Sequence, residues 1–170
     1  MKSITTIYLI TISGLCFSQT DTAILFHSKY EKSYGLYFQY NGITKPYLEF
    51  GIGKSTDFFN GHHPFTTGSF ISSEAKIDFR RTVLGPKIGV WASGGVAPIS
   101  MGLNLIYYGD IANFKNGGLR FRPEFGIGIF NFRASAGVNI PIFNYKPTKE
   151  FVSLFTVGVM YYVPIIIKKE

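Results

Sequence analysis

Between Leu119 and Ile142 the chain runs LRFRPEFGIGIFNFRASAGVNIPI, an alternation of apolar and polar residues that is repeated with almost no turn between the two copies. Leu119, Phe121, Phe125, Ile127 and Ile129 fall on one face, opposed by Arg120, Arg122, Glu124, Gly126 and Gly128. Phe132, Ala134, Ala136, Val138, Ile140 and Ile142 then share a face opposed by Arg133, Ser135, Gly137 and Asn139. Successive side chains of a strand point to opposite faces, so a period of two predicts β-structure. Only Asn131 and its immediate neighbours remain for the turn, which predicts a tight antiparallel hairpin with both apolar faces on one side of one sheet.

The same alternation recurs in six further stretches: Tyr34–Tyr40, Pro46–Gly53, Phe70–Phe79, Leu84–Ser93, Ile99–Tyr108 and Phe151–Val163. With the hairpin they make eight strands. Thr22–Tyr30 has no clear pattern and is left unassigned. Gly109–Gly118 and Asn144–Glu150, rich in Gly, Asn, Pro and Lys, read as loops, and Lys54–Gly68 reads as a long connection. Most strands approach the roughly 9 to 11 residues that cross a bilayer, and the first two are short. Eight strands in series close most simply as an up-and-down barrel. An even spread of aromatics and glycines offers no break at which to divide the 170 residues, so residues 19–170 read as one domain.

Alternation alone does not say which face looks inward, but the composition of the polar face does. It carries Gly51, Gly53, Gly85, Gly89, Gly102, Gly126, Gly128, Gly137 and Gly158. A water-facing sheet would favour Thr, Lys and Glu, whereas a narrow eight-stranded lumen needs small and large side chains mixed. Its charges nearly cancel, with Glu49, Glu74, Asp78 and Glu124 against Lys76, Lys87, Arg120, Arg122 and Arg133. Balance is what burial requires, since one unpaired buried charge costs about 3 to 5 kcal/mol. A solvated face could also balance by chance. The apolar face carries no charge along these strands, and Tyr34, Tyr40, Phe79, Tyr107, Phe132 and Tyr161 sit near strand ends, as aromatic girdles do. The predicted fold is all-β: an eight-stranded antiparallel up-and-down transmembrane β-barrel with a polar, packed lumen.

The N-terminus, MKSITTIYLITISGLCFSQT, has a lysine, an apolar run from Ile4 to Phe17 and small residues before Gln19. That layout predicts a signal peptide over residues 1–18, cleaved after Ser18. A lipoprotein reading of Cys16 is disfavoured by the bulky Leu15 before it. Cys16 is the only cysteine, so the mature chain has neither a disulfide framework nor a thiolate metal site. Loss of Lys2 lowers the formal net charge from +7 to +6. In an exported protein this excess suits anionic lipid better than nucleic acid. No later window has the roughly 18 apolar residues of a spanning helix.

Candidate chemistry is sparse. Gly53, Lys54, Ser55 and Thr56 imitate the end of a phosphate-binding loop, but Leu48 stands where its first glycine belongs and no helix follows. Ser73 and Lys76 have the spacing of a Ser/Lys pair, yet alternation sends them to opposite faces. His62 and His63, near Asp57, lack further ligands for a metal. A lipid-modifying barrel enzyme would need a histidine within about 3 Å of its nucleophile, and His27, His62 and His63 all lie outside the eight strands. A wide pore needs 16 or more strands. No catalytic residue, cofactor or metal is assigned; a soluble, lipocalin-like barrel is the remaining alternative to a membrane one.

With its export signal, strand pattern and polar lumen, the chain resembles the small eight-stranded outer-membrane β-barrel proteins of Gram-negative bacteria, of OmpA-domain and OmpX-like architecture. GPKIGVW at Gly85–Trp91 and FRPEFGIG at Phe121–Gly128 look like segments of uncharacterised barrels of that broad type. The resemblance implies residence in the outer membrane, delivery by the barrel-assembly machinery and a non-enzymatic structural or surface-interaction role, with a monomer favoured. It departs at the C-terminus, where such barrels end on an aromatic residue but this chain continues past Tyr162 through Ile165–Ile167 to Lys168, Lys169 and Glu170. If both termini are periplasmic, Lys45, Arg80, Arg81, Lys115, Lys146 and Lys149 lie on the outer rim, opposed only by Asp110 and Glu150. Such a rim is expected to engage lipopolysaccharide phosphates.

Overall fold

The structure, a computed structural model, describes residues 29–42, 46–60, 63–77, 82–94, 98–111, 113–129, 131–144 and 152–169. Regular structure in these residues is extended throughout: β1 (Lys29–Asn41), β2 (Tyr47–Asn60), β3 (His63–Ile77), β4 (Thr82–Gly94), β5 (Ile99–Asp110), β6 (Asn113–Ile129), β7 (Phe132–Val138), β8 (Ile140–Asn144) and β9 (Phe155–Lys169). From β1 to β7 successive strands pair antiparallel, β8 pairs with β6, β9 pairs with both β1 and β7, and the pairing of β5 with β6 closes the sheet on itself. The expected hairpin is present, with Gly128 opposite Arg133 and Ile129 opposite Phe132.

The ring has eight strands although nine are labelled. Glu124 faces Gly137 and Phe121 faces Ile140, so the register of β7 against β6 carries through Asn139 into β8 and slips only between Leu119 and Arg120. They are one strand interrupted at Asn139. Pro123 lies in the facing stretch of β6, and without an N–H it cannot complete the ladder there. An even number of strands lets the first and last pair antiparallel, and Glu31 of β1 faces Lys169 of β9.

Several strand limits differ from the sequence expectation, mostly because the strands run further than hydrophobic alternation shows. Lys54–Gly68 is no long connection: β2 continues to Asn60, β3 starts at His63, and Asp57 faces Thr66 across the hairpin. Both faces of that hairpin are largely polar, so hydrophobic alternation is blind to it, whereas the backbone ladder needs no apolar side chain. Gly109–Gly118 is likewise mostly strand, with a register irregularity between Tyr108 and Asp110. Lys29 and Tyr30, in the unassigned stretch, open β1. The last strand begins at Phe155 rather than Phe151, and it runs past Tyr162 to Lys169, so Ile165–Ile167 belong to the wall. Residues 1–28, with the expected signal peptide, and 145–151 lie outside the described residues.

The orientation of the faces is the decisive feature of the fold. Leu48, Ile52, Ile71, Phe125, Ile127, Phe155 and Ile165 are each 58 to 64% exposed on the outer wall, while Glu74, Arg122 and Asn139 inside are 0% exposed. Tyr34, Tyr40, Phe132 and Tyr161 also face outward, and Phe79 lies outside the described residues. A water-soluble barrel has the reverse arrangement. Inside, glycines make room for large neighbours. A side chain at Gly68 would collide with the Trp91 indole, and one at Gly102 with the Arg133 guanidinium.

Candidate functional site

The interior is layered. Tyr37, Phe70, Trp91, Met160 and Tyr162 form one buried apolar cluster, and Tyr47, Val83, Ile106, Tyr108 and Val152 form a second. The first lies toward the end of the ring that holds Lys29 and Lys169, and the second toward the opposite end. Tyr37 stacks on Phe70 with ring centroids 4.2 Å apart. Between the clusters, β2, β3, β4, β6 and β7 supply three carboxylates and three cations. They reach the lumen because each occupies an inward position of its strand, the face that alternation reserves for polar residues.

Glu74 of β3 is the hub. Arg122 of β6 donates from Nη1 to its Oε1 at 2.5 Å and from Nη2 to its Oε2 at 3.0 Å, a bidentate clasp across the ring. The Tyr108 hydroxyl donates to Oε2 and accepts from Arg122 Nη2, and Asn41 Nδ2 donates to Oε1 at 3.1 Å. Glu49 accepts from Lys87 Nζ at 2.9 Å, Asn41 Nδ2 at 3.0 Å and Ser72 Oγ at 2.5 Å. Glu124 accepts from Arg133 Nη2 at 2.8 Å, and its Oε1 lies 3.8 Å from both Lys87 Nζ and Arg122 Nη1. Lys87 Nζ also lies 3.5 Å from Glu74 and 5.2 Å from the centre of the Phe70 ring. Each charge in the layer thus has at least one opposite partner within 4 Å, as burial demands.

Asn139, at the interruption between β7 and β8, links this layer to the returning chain. Its Oδ1 accepts from Arg122 Nε at 2.7 Å, its Nδ2 donates to the Ser153 carbonyl at 2.8 Å, and its backbone N–H donates to the Leu154 carbonyl at 2.7 Å. The segment 152–154 is thereby drawn in so that Val152 packs in the second cluster.

Of the nine residues expected in a lumenal network, the structure brings together Glu49, Glu74, Lys87, Arg122, Glu124 and Arg133. Arg120 is buried at the level of Ile106, among the second cluster. Lys76 is half-buried near the end of β3, and Asp78 lies outside the described residues. Asn41, Ser72, Tyr108 and Asn139 complete the network and were absent from that expectation. All but Asn41 sit within polar faces already apparent from alternation. Only the curvature of the ring reveals which of them meet.

Of the expected rim, Lys45, Arg80, Arg81, Lys146 and Lys149 lie outside the described residues, as does the side chain of Lys115. The strand ends that flank them lie at the end of the ring opposite Lys29 and Lys169. Among the described residues, no group of three or more His, Cys, Asp or Glu side chains is placed to hold a metal ion. Gly53–Thr56 is strand, not a phosphate-binding loop. No protein-family model, curated protein or solved structure matches the chain.

Proposed function

We propose that this chain is a non-enzymatic integral β-barrel of the Gram-negative outer membrane, exported by a signal peptide cleaved after Ser18, with a structural or surface-interaction role. The observation that carries the reading is the inversion of the two faces. A closed ring of amphipathic strands buries a neutralised charge layer and turns Leu48, Ile52, Ile71, Phe125 and Ile127 outward. An apolar belt of that extent is stable where hydrocarbon replaces water, and the pairings of β5 with β6, β9 with β7 and β1 with β9 close the ring so that, among the described residues, only the short β8 has a single neighbour. The layered lumen favours a scaffold over a conduit.

The rim reading rests on the same topology. The described strand ends that flank Lys45, Arg80, Arg81, Lys115, Lys146 and Lys149 in sequence lie at the end of the ring opposite Lys29 and Lys169, and on that side lipopolysaccharide phosphates would be the nearest fixed anions. Carbonate extraction, N-terminal sequencing and the mobility of unboiled samples on denaturing gels test the proposal. Membrane retention, a new N-terminus at Gln19 and heat-dependent mobility are expected. Recovery of the mature chain in the soluble periplasm would overturn it. Charge reversal of Arg80, Arg81, Lys146 and Lys149 is expected to reduce copurified lipopolysaccharide, and unchanged copurification would remove the rim assignment.

A further inference from the structure

On the outer wall, β9 leaves its regular register where it passes β1. Tyr34 faces Ile166 but Gly35 faces Pro164, so Ile165 has no opposite residue. A bulge of this kind re-aims side chains, and the sequence neighbours Ile165 and Ile166 are both exposed where strict alternation would turn one inward. With Tyr34, Leu36, Ile52 and Ile71 they wall an open trough of about 440 Å³, within the roughly 300 to 1,000 Å³ of small-molecule sites. Gly35 and Gly53 also line it. A side chain at Gly35 would run into the Val163 carbonyl, so the close approach of β1 and β9 requires glycine there.

One end of the trough is polar and cationic. Ser69, exposed on β3, lines both this trough and an adjoining one that Lys54 lines. The exposed Lys54 faces Tyr34 across the β1–β2 ladder and holds its Nζ 5.9 Å from the centre of the Tyr34 ring. The cationic character continues beyond the trough, where Lys168 and Lys169 are exposed at the end of β9. An apolar slot with an ammonium and a hydroxyl at one end is complementary to an amphiphile with an anionic head.

We propose that this trough seats one acyl chain of an anionic glycerophospholipid, whose phosphate is held by Lys54 and Ser69 through charge-assisted hydrogen bonds. The site rests on the membrane reading above and adds a specific lipid position to it. Its place at the end of the wall shared by the first and last strands sets it apart from the rim assigned to lipopolysaccharide.

The test equilibrates the purified full chain with vesicles of equimolar phosphatidylglycerol and phosphatidylcholine, re-extracts it in mild detergent and counts retained lipids by native mass spectrometry. One lysine beside an anionic headgroup predicts a preference of about fivefold for phosphatidylglycerol. Lys54→Glu is expected to abolish the preference. Ser69→Phe, which fills the head end of the trough from an exposed position, is expected to lower retention of both lipids. Circular dichroism confirms that each variant keeps its strands. Failure of the wild-type chain to enter vesicles overturns the membrane reading and the site with it. Insertion with no retained lipid, with no preference, or with a preference that survives Lys54→Glu overturns the site alone.

Discussion

Replacing Glu74 by Leu removes the carboxylate on which the lumenal layer converges and leaves its principal partner exposed to the full cost of burial. Arg122 loses both hydrogen bonds to the carboxylate and keeps only neutral partners at bonding distance, Asn139 at Nε and the Tyr108 hydroxyl at Nη2, with Glu124 3.8 Å away. Lys87 keeps Glu49 at 2.9 Å, so the stranded charge is essentially that of Arg122. An uncompensated charge in a buried pair costs about 3 to 5 kcal/mol. With a urea dependence of about 2 kcal/mol per M for a chain of this size, we predict that the unfolding midpoint in detergent micelles falls by about 2 M. The double variant Glu74→Leu/Arg122→Met restores electrical balance and is predicted to recover more than half of that loss, whereas independent contributions would add. If the single variant unfolds within about 0.3 M of wild type, or if the double variant is no more stable than the single, the idea that this layer is closed to water is wrong.

Tyr108→Phe removes a hydroxyl that both donates to Glu74 and accepts from Arg122, and a loss of about 1 to 3 kcal/mol is expected in the same unfolding assay. Trp91 is the only tryptophan and is buried against Gly68. Gly68→Ala is therefore expected to displace the indole, red-shift its emission and cost about 1 to 3 kcal/mol through overpacking; an unchanged spectrum would contradict that contact. Asn139→Leu severs the side-chain bonds to Arg122 and Ser153 and is expected to speed limited proteolysis near Val152 while the strand content by circular dichroism stays constant.

The number and order of the strands were legible in the sequence because each carries an apolar face next to a polar one, the pattern that a two-residue period exposes. The strands became illegible where both faces turn polar. Ser55, Thr56, Asp57, Thr66 and Thr67 look like loop residues, yet they pair across the β2–β3 hairpin. The charges of the lumen were equally visible, because Glu49, Glu74, Lys87, Arg122, Glu124 and Arg133 all interrupt apolar alternation on the same side. Their partners were not visible. Arg122 clasps a carboxylate 48 positions away and three strands around the ring, a relation set by curvature and register. The trough depends on a one-residue slip between β1 and β9, and consecutive isoleucines carry no mark that distinguishes a bulge from the end of a strand.

The strands that complete the circle are also the ones that keep charge out of its middle. From Ser33 to Asn41 the inward positions of β1 are Ser, Gly, Tyr, Gln and Asn, and from Thr156 to Tyr162 those of β9 are Thr, Gly, Met and Tyr. The ionic layer is contributed by β2, β3, β4, β6 and β7 alone. Parting the β1–β9 junction over that span would break backbone hydrogen bonds and uncover aromatic and amide groups, but it would separate no cation from its anion. Over that span the last step of closure is thus electrically indifferent. The intervening strands can neutralise one another in an open, curled sheet, and the joint between the first and last strands can unzip there without parting an ion pair of the layer.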